Sequence, residues 1–143
     1  MEKNKQKILD FIKKKKLAVL STINSKGKPE SAVIAFSETE NLELIFGTFN
    51  TTRKYKNLQS EQNVSVVIGW DEKENITVQY EGLSKEVKDK EFQECRAIQL
   101  NKNPSSKTYA FEKEQRYFKI IPKWVRYSNL SKEPIEIFKI TFN

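Results

Sequence analysis

Residues 17–48 read LAVLSTINSKGKPESAVIAFSETENLELIFGT, and this stretch decides the fold class. Three apolar segments, 17–23, 31–36 and 42–48, are separated by short polar ones. The first polar segment contains Gly27, which can adopt the positive φ that a tight turn requires. Consecutive strands joined by connections this short pair in antiparallel fashion. The stretch therefore predicts three antiparallel strands in a row.

The remainder of the chain extends this pattern in both directions. Helical spacing of apolar residues predicts helices over 4–15, 52–60 and 90–101. Thr51 or Thr52 is expected to cap the helix over 52–60, and Asp89 the helix over 90–101. Further strands are predicted over 64–70, 76–87 (with a bend or bulge at Gly82), 116–121, 124–128 and 135–142, and 103–107 is predicted as a loop. Pro122 and Pro134 lie close to the starts of the last two strands, where a missing N–H does least harm. We expect one mainly β domain over 1–143, an antiparallel barrel with short helices, because barrel closure removes sheet edges.

Composition excludes several classes of site. The chain has no histidine, and Cys95 is its only cysteine, so histidine-based triads, disulfides within the chain and zinc or iron–sulfur clusters are not expected. Cys95 itself is predicted to be a buried small hydrophobic residue. No apolar run is long enough for a membrane span, and the N-terminus lacks the features of a secretory signal. These observations predict a cytoplasmic protein without a membrane or metal partner.

The net charge of +7 is concentrated in residues 1–16, which hold seven lysines against Glu2 and Asp10. Such a helix can bind nucleic acid, but a solvated helix face is the more common outcome. Proteins that bind single strands usually pair basic residues with stacking aromatics, and Phe11 is the only aromatic residue in this segment. We therefore expect no nucleic-acid partner, while a small basic nucleic-acid-binding barrel stays an alternative.

Residues 46–54, FGTFNTTRK, form the most informative candidate site, because a strand ends and a helix begins there. Free N–H groups at a helix N-terminus favour an anion, and the hydroxyls of Thr48, Thr51 and Thr52 add donors. Arg53 and Lys54 place two positive charges in the first helical turn. The helix dipole disfavours cations there, whereas a bound phosphate would be stabilised by them. From the residue types alone, an anion site and an ordinary capped helix are about equally favoured.

At this point the sequence resembles the pyridoxamine 5′-phosphate oxidase-like family, whose members are FMN-binding split barrels. The resemblance is carried by the order LAVLSTI, SAVIAF, LELIFGT, TTRKYKNLQSEQNVSVVIGW, ITVQYEGLSKEV and RYFKIIPKWVRY. It implies an antiparallel split β-barrel and FMN as the cofactor. The family also contains members that use a deazaflavin or handle haem, and these two alternatives stay open.

The resemblance also implies which residues bind the cofactor, although it names no catalytic residue. A strand under the flavin ring contributes Ala32, Val33 and Ile34. The next strand end contributes Gly47 and Thr48 on the ribityl and phosphate side. The phosphate is expected at Thr52, Arg53 and Lys54, with Arg53 contributing more than Lys54 if it makes a bidentate contact. Thr77 is expected near the flavin from a later strand.

Family members are usually homodimers with a flavin at the interface, and the sequence supports the same expectation here. Strands 31–36 and 64–68 are apolar on both faces, whereas a small barrel has only one interior. Trp124 and Tyr127 are then expected to approach the partner's flavin. Trp70 is predicted to be a core or interface plug, with stacking on a flavin as the alternative.

Departures from the family's enzymes argue against pyridoxamine-phosphate oxidase activity. Those enzymes have an arginine where Ala32 stands, a lysine where Ser37 stands, and a histidine-containing C-terminal motif that this chain lacks. We therefore expect a flavin-dependent oxidoreductase with an unidentified small substrate. A non-catalytic flavin-binding protein for storage or sensing is the alternative within the same family.

Overall fold

The structure is a computed structural model that describes residues 2–143. Its helices are α1 (Glu2–Lys13), α2 (Arg53–Ser60), α3 (Asp89–Lys102) and α4 (Lys107–Ala110), and a 3-10 turn covers Pro104–Ser106. Its strands are β1 (Leu17–Ile23), β2 (Pro29–Ala35), β3 (Ser37–Glu38), β4 (Leu44–Phe49), β5 (Asn63–Ile68), β6 (Ile76–Glu86), β7 (Gln115–Asn129) and β8 (Glu136–Thr141). None of the helices within residues 2–143 is long and apolar enough to cross a bilayer.

Every strand pairing is antiparallel. The hairpin predicted between 17–23 and 31–36 is confirmed as β1–β2. The one predicted between 31–36 and 42–48 is wrong, because the chain crosses over after β2 and β4 pairs with β3 and β7 instead. The order across the sheet is β2-β1-β5-β6-β7-β4-β3, and β8 pairs with β7. The first part of β7 pairs with β4 and its second part with β8, while β6 runs alongside both parts. The sheet curls into a half-barrel, which confirms the predicted split β-barrel.

The predicted break at Pro122 is wrong, because β7 is one strand from Gln115 to Asn129. Pro122 lies opposite Gly82, where the register between β6 and β7 shifts. The missing N–H of a proline is tolerated at such an irregularity. The bulge expected at Gly82 is therefore confirmed, and it explains how a proline fits inside a strand.

Two smaller expectations about the helices are also corrected. Lys88, not Asp89, is the N-cap of α3, and it makes no side-chain capping hydrogen bond. Residues 103–107, predicted as a loop, include the 3-10 turn and the first residue of α4. The N-cap of α2 is Thr52, whose side chain accepts a hydrogen bond from the N–H of Tyr55.

The concave side of the sheet holds the core. Alternate residues such as Leu20, Val66, Val78 and Val125 are buried, and α1 covers them with Ile8, Leu9, Phe11 and Ile12. The phenol of Tyr80 donates towards the carbonyl oxygens of Leu42 and Ile120, at 2.7 and 3.0 Å. The buried hydroxyl therefore has acceptors, as a polar group inside a core requires.

The opposite, convex side carries apolar residues that the single chain leaves uncovered. Val19 pairs with Val33 on one side and with Val67 on the other, so the three side chains lie in one row. Val33 is 61% exposed, Leu17 48% and Val67 37%. We call this surface the outer face and define it by Leu17, Val19, Val33, Val67 and Thr77. An apolar row of this kind needs a cover.

Candidate functional site

A cavity of about 390 Å³, here called the main cavity, lies between β2, β4, the start of α2 and the region of α3 and α4. Its volume falls within the range of small-molecule sites. It opens beside the outer face, because Val33 belongs to both surfaces. The lining residues are Val33, Ile34, Ala35, Gly47, Thr48, Phe49, Lys54, Gln99, Ser105, Ser106, Tyr109, Gln115 and Tyr117.

Gly47 keeps this cavity open. A Cβ at this position would collide with Nε2 of Gln115 and would lie 2.9 Å from Cε1 of Tyr117. This crowding arises because β4 pairs with β7, which places Gly47 opposite Tyr117 and brings the side chains of β7 over the glycine. A side chain here would force the end of the Gln115 side chain and the ring of Tyr117 to shift, so glycine allows these two side chains to lie close across β4.

A second, smaller cavity of about 140 Å³ adjoins the first through Lys54, which lines both. This side cavity is bounded by Leu20, Thr22, Glu30, Ser31, Ala32, Arg53 and Lys54. Lys54 therefore lies between the two cavities and borders both.

Threonine hydroxyls at the start of α2 already have partners within the protein. Oγ1 of Thr48 and Oγ1 of Thr52 are 2.8 Å apart. Thr52 also donates to the carbonyl of Phe49 at 3.1 Å and accepts from the N–H of Tyr55 at 3.3 Å. Because Thr52 caps the helix and lines neither cavity, its hydroxyl acts mainly as a support for Thr48.

Arg53 points to the protein surface and is compensated there. Its side chain is 76% exposed, and its Nε lies 3.4 Å from a carboxylate oxygen of Glu30. The same carboxylate accepts hydrogen bonds from the side-chain amides of Asn57 and Asn24, and these bonds hold the pKa of Glu30 below its ordinary value. Sequence reasoning missed Glu30, which neutralises part of the charge assigned to Arg53.

Lys54, unlike its neighbour Arg53, has no counter-charge within ion-pair distance in the part of the chain that the structure describes. Among residues 2–143 no carboxylate lies within ion-pair distance of its amine, although ten other ion pairs form. Burial lowers the pKa of Lys54 below its ordinary value of 10.5. A partly buried ammonium in this position is stabilised by any anion that enters the cavity. Lys54 therefore faces the main cavity unpaired, whereas Arg53 is exposed and paired with Glu30, and the relative contribution of the two to an anion site stays a prediction.

The far wall of the main cavity is held in place by α3. The side-chain amide of Gln99 donates to the carbonyl of Ala35 at 3.0 Å and accepts from the hydroxyl of Ser37 at 2.8 Å. One turn further on, Lys102 forms a buried ion pair with Glu38. These contacts fix the wall against the end of β2, so the cavity is preformed.

The nine predicted cofactor residues fall into three groups. Val33, Ile34, Gly47, Thr48 and Lys54 line the main cavity. Ala32 and Arg53 line the side cavity, and Thr52 lines neither cavity but contacts the hydroxyl of Thr48. Thr77 lies away from them on the outer face, paired with Ser128 of β7. Their contact with a cofactor stays a prediction.

Several cavity residues escaped the sequence analysis. Gln99, Tyr109, Gln115 and Tyr117 come from segments that are distant in sequence from 46–54. Tyr117 lies in the predicted strand 116–121 and Gln115 just before it, but nothing local indicated what these side chains would meet. Tyr109 packs edge-on against Phe49, with ring centroids 5.9 Å apart.

Other predicted positions are resolved by burial. Tyr127 is buried in the core, stacked on Phe138 at 4.9 Å, so the expectation that it approaches a partner's flavin is wrong. Trp70 is 54% exposed and is not a core residue. Cys95 is buried as predicted, and burial raises its pKa to about 11.

No group of three or more Cys, Asp or Glu side chains within residues 2–143 is placed to hold a metal ion.

The basic N-terminal helix is partly neutralised by contacts with the rest of the chain. Lys7 pairs with Glu136 at 2.8 Å, Lys13 with Glu40 at 3.2 Å, and Lys15 with Glu74 at 2.6 Å. Pairing of this kind is typical of a solvated helix face.

Comparison with known proteins places the chain in a family. The sequence model described as pyridoxamine 5′-phosphate oxidase matches residues 5–129, which is most of the chain. This chain belongs to the pyridoxamine 5′-phosphate oxidase family. No curated protein matches the sequence.

Three similar solved structures illustrate the breadth of the fold. A putative pyridoxamine 5′-phosphate oxidase from Listeria innocua is 22% identical with a TM-score of 0.71, over 86% of this chain and 96% of that one. The haem storage protein HutZ from Vibrio cholerae is 16% identical with a TM-score of 0.73, over 82% and 89%. A haem binding protein from Mycobacterium smegmatis is 15% identical with a TM-score of 0.76, over 89% of this chain and 53% of that one. At these identities the likeness establishes the fold alone.

Proposed function

We propose that this protein binds FMN in the main cavity and acts as a flavin-dependent oxidoreductase. The observation that carries the proposal is Lys54, a partly buried ammonium without a carboxylate partner that stands at the junction of the two cavities. FMN combines a planar ring with a phosphate, and this combination suits a space with an apolar wall at one end and a cation at the other.

The residues present fit this cofactor. Val33, Ile34 and Ala35 offer one wall for a ring, and Gly47 leaves room for the chain that joins the ring to the phosphate. The N–H groups at the start of α2 lie beside Lys54 and favour an anion. When bound, FMN supplies hydride and electron transfer, while these residues position it and set its electrostatic surroundings.

The proposed functional unit is a homodimer with the cofactor at the interface. The outer face carries the exposed row of Val33, Val19 and Val67, and the main cavity opens beside it through Val33. A second copy seated on this face removes the apolar row from water and covers the cavity mouth. Among soluble homo-oligomers, two-fold dimers are the most common assembly.

Pyridoxamine phosphate is not the proposed substrate, because Ala32 and Ser37 stand where the family's enzymes have basic residues. In addition, Ser37 is fully buried and donates its hydroxyl to Gln99, so it is not available to a substrate. The substrate class therefore stays open, and a non-catalytic flavin-binding role is the alternative. Two ion pairs of α1 and a third formed by Lys15, just after the helix, weaken the nucleic-acid alternative.

The experiment that tests the proposal is the absorption spectrum of freshly purified protein, with mass identification of any molecule released on denaturation. We expect the two visible bands of a flavin and the mass of FMN. A Soret band with the mass of haem would replace the proposal with haem binding, the function printed for two of the similar structures. Because the chain has no histidine, haem would then require a different axial ligand, such as Tyr109 at the cavity wall. Reduction of the bound flavin by a nicotinamide cofactor would separate an oxidoreductase from a storage protein.

A further inference from the structure

We propose that the side-chain amide of Gln115 binds the hydroxyl-bearing linker of the ligand in the main cavity and so selects a flavin over haem. This inference rests on the proposed function and adds a residue that neither the sequence motifs nor the family resemblance assigned. Lys54 is expected to bind the phosphate of the ligand, whereas Gln115 binds a neutral part of the same molecule.

Most polar side chains buried around the main cavity already have partners within the protein. The hydroxyl of Thr48 pairs with that of Thr52, and the hydroxyl of Ser106 donates to the carbonyl of Asn103 at 2.7 Å. The amide of Gln99 both donates and accepts hydrogen bonds where β2 ends. These groups support the wall of the cavity and have little hydrogen-bonding capacity left for a ligand.

Gln115 is buried like Gln99, but its amide is not satisfied in the same way. It is 7% exposed and lines the main cavity. Among residues 2–143, the phenol of Tyr117 is the only hydrogen-bond partner of its side chain. An amide carries two N–H donors and a carbonyl oxygen that accepts, so this one contact leaves most of its capacity free. Burying free polar groups costs stability, and a ligand that binds them removes that cost.

The backbone holds Gln115 in a defined place. Its N–H donates to the carbonyl of Glu112 at 3.1 Å, and its carbonyl oxygen accepts from Arg116 at 2.8 Å. From there the side chain lies over Gly47, where a Cβ would collide with Nε2 of the amide. The amide is therefore beside the space that Gly47 leaves for the linker of FMN. Because it is already positioned, a ligand that binds it loses little side-chain entropy.

The chemistry of the FMN linker matches this amide. The linker is a ribityl chain, and its hydroxyl groups both donate and accept hydrogen bonds, as the amide does. Haem instead presents an apolar macrocycle with carboxylates only at its edge, so it would cover the free groups of Gln115 without binding them. Gln115 therefore contributes hydrogen bonds to FMN and a desolvation cost to haem, and both effects favour the flavin.

The first experiment changes the protein and the ligand together. The probes are FMN and an analogue that carries the same ring and the same phosphate on a plain five-carbon chain without hydroxyls. Both are titrated by flavin fluorescence into wild type, Gln115→Met and Gln59→Met. Methionine keeps the length and volume of glutamine and removes only the amide. Gln59 is the matched control, because it is an exposed residue of α2 that lines neither cavity.

We expect wild type and Gln59→Met to bind FMN about ten-fold more tightly than the analogue, as one or two neutral hydrogen bonds predict. In Gln115→Met this preference should fall to about two-fold or less, because only the affinity for FMN decreases. Equal affinity of wild type for the two ligands overturns the proposal. The wild-type preference retained in Gln115→Met, with both ligands weakened equally or not at all, also overturns it.

A second variant keeps the test independent of the folding of Gln115→Met. Gln115→Asn withdraws the amide by one methylene, so it should also lose most of the preference for FMN over the analogue, and an undiminished preference overturns the proposal. If wild type binds neither ligand, the proposed function itself fails, which is distinct from a lost preference in a protein that binds both.

The third experiment tests the selection against haem. Haemin is titrated by Soret absorbance into wild type and Gln115→Met. We expect wild type to bind FMN more tightly than haemin and Gln115→Met to narrow this difference, because the variant loses affinity for FMN alone. Tighter binding of haemin than of FMN by wild type, or an unchanged difference in the variant, overturns the selection.

Discussion

Replacing Lys54 with methionine tests the anion site, since methionine keeps the apolar stem and removes only the charge. In the cofactor-free protein this ammonium is partly buried and has no carboxylate within ion-pair distance among residues 2–143. A charge-assisted contact to a phosphate contributes about 1.5–3 kcal/mol. Its loss should therefore weaken FMN binding about ten- to a hundred-fold.

The same variant should leave the fold at least as stable as before. Removing a desolvated charge relieves a cost of folding, so cofactor-free Lys54→Met is expected to melt no lower than wild type. Lys56→Met, an exposed position on the same helix, is the matched control and should change neither property. Arg53→Met is expected to cost only a few-fold in affinity, because Arg53 is 76% exposed and already paired with Glu30.

The assay is equilibrium titration of FMN and riboflavin by fluorescence quenching on all four proteins. Riboflavin lacks the phosphate, so it should bind weakly to wild type and be nearly indifferent to Lys54→Met. Equal loss of FMN and riboflavin would show that Lys54 acts through the shape of the cavity, and unchanged FMN binding would show that the phosphate lies elsewhere. Either result refutes the reasoning.

Burial lowers the pKa of Lys54, and only the protonated amine attracts a phosphate. FMN affinity should therefore fall as the pH rises through this lowered pKa. In the same titration, Lys54→Met should show no such fall. Gly47→Val should abolish FMN binding and lower the free energy of unfolding by about 1–3 kcal/mol in urea, because its side chain meets Gln115 and Tyr117. Val67→Glu should shift the protein from dimer to monomer in light scattering, whereas Ser25→Glu, on the β1–β2 turn, should not.

Local turn and capping chemistry explains which parts of the fold the sequence could predict. β1 was placed to the residue because apolar alternation ends at Asn24, whose side chain accepts hydrogen bonds from the turn that follows. The start of α2 was predicted by Thr52, which caps it as expected. Both features depend on residues close together in the chain.

Features that depend on distant pairing could not be predicted in the same way. Pro122 predicted a strand boundary, because a proline cannot donate a ladder hydrogen bond. It is tolerated inside β7 because it lies opposite Gly82, and only the β6–β7 register brings these two residues together. The compensation of Arg53 by Glu30 likewise arises from the packing of α2 against the β1–β2 hairpin. The sequence could name the charges at the site, but which of them stays unpaired is a property of the assembled sheet.

The most direct test of the central claim is a crystal structure of the protein grown with FMN. We expect a phosphate oxygen about 3 Å from Nζ of Lys54 and the flavin ring against Val33–Ala35 in the main cavity. FMN bound with its phosphate away from Lys54, or an empty main cavity with the ligand elsewhere, would contradict the account.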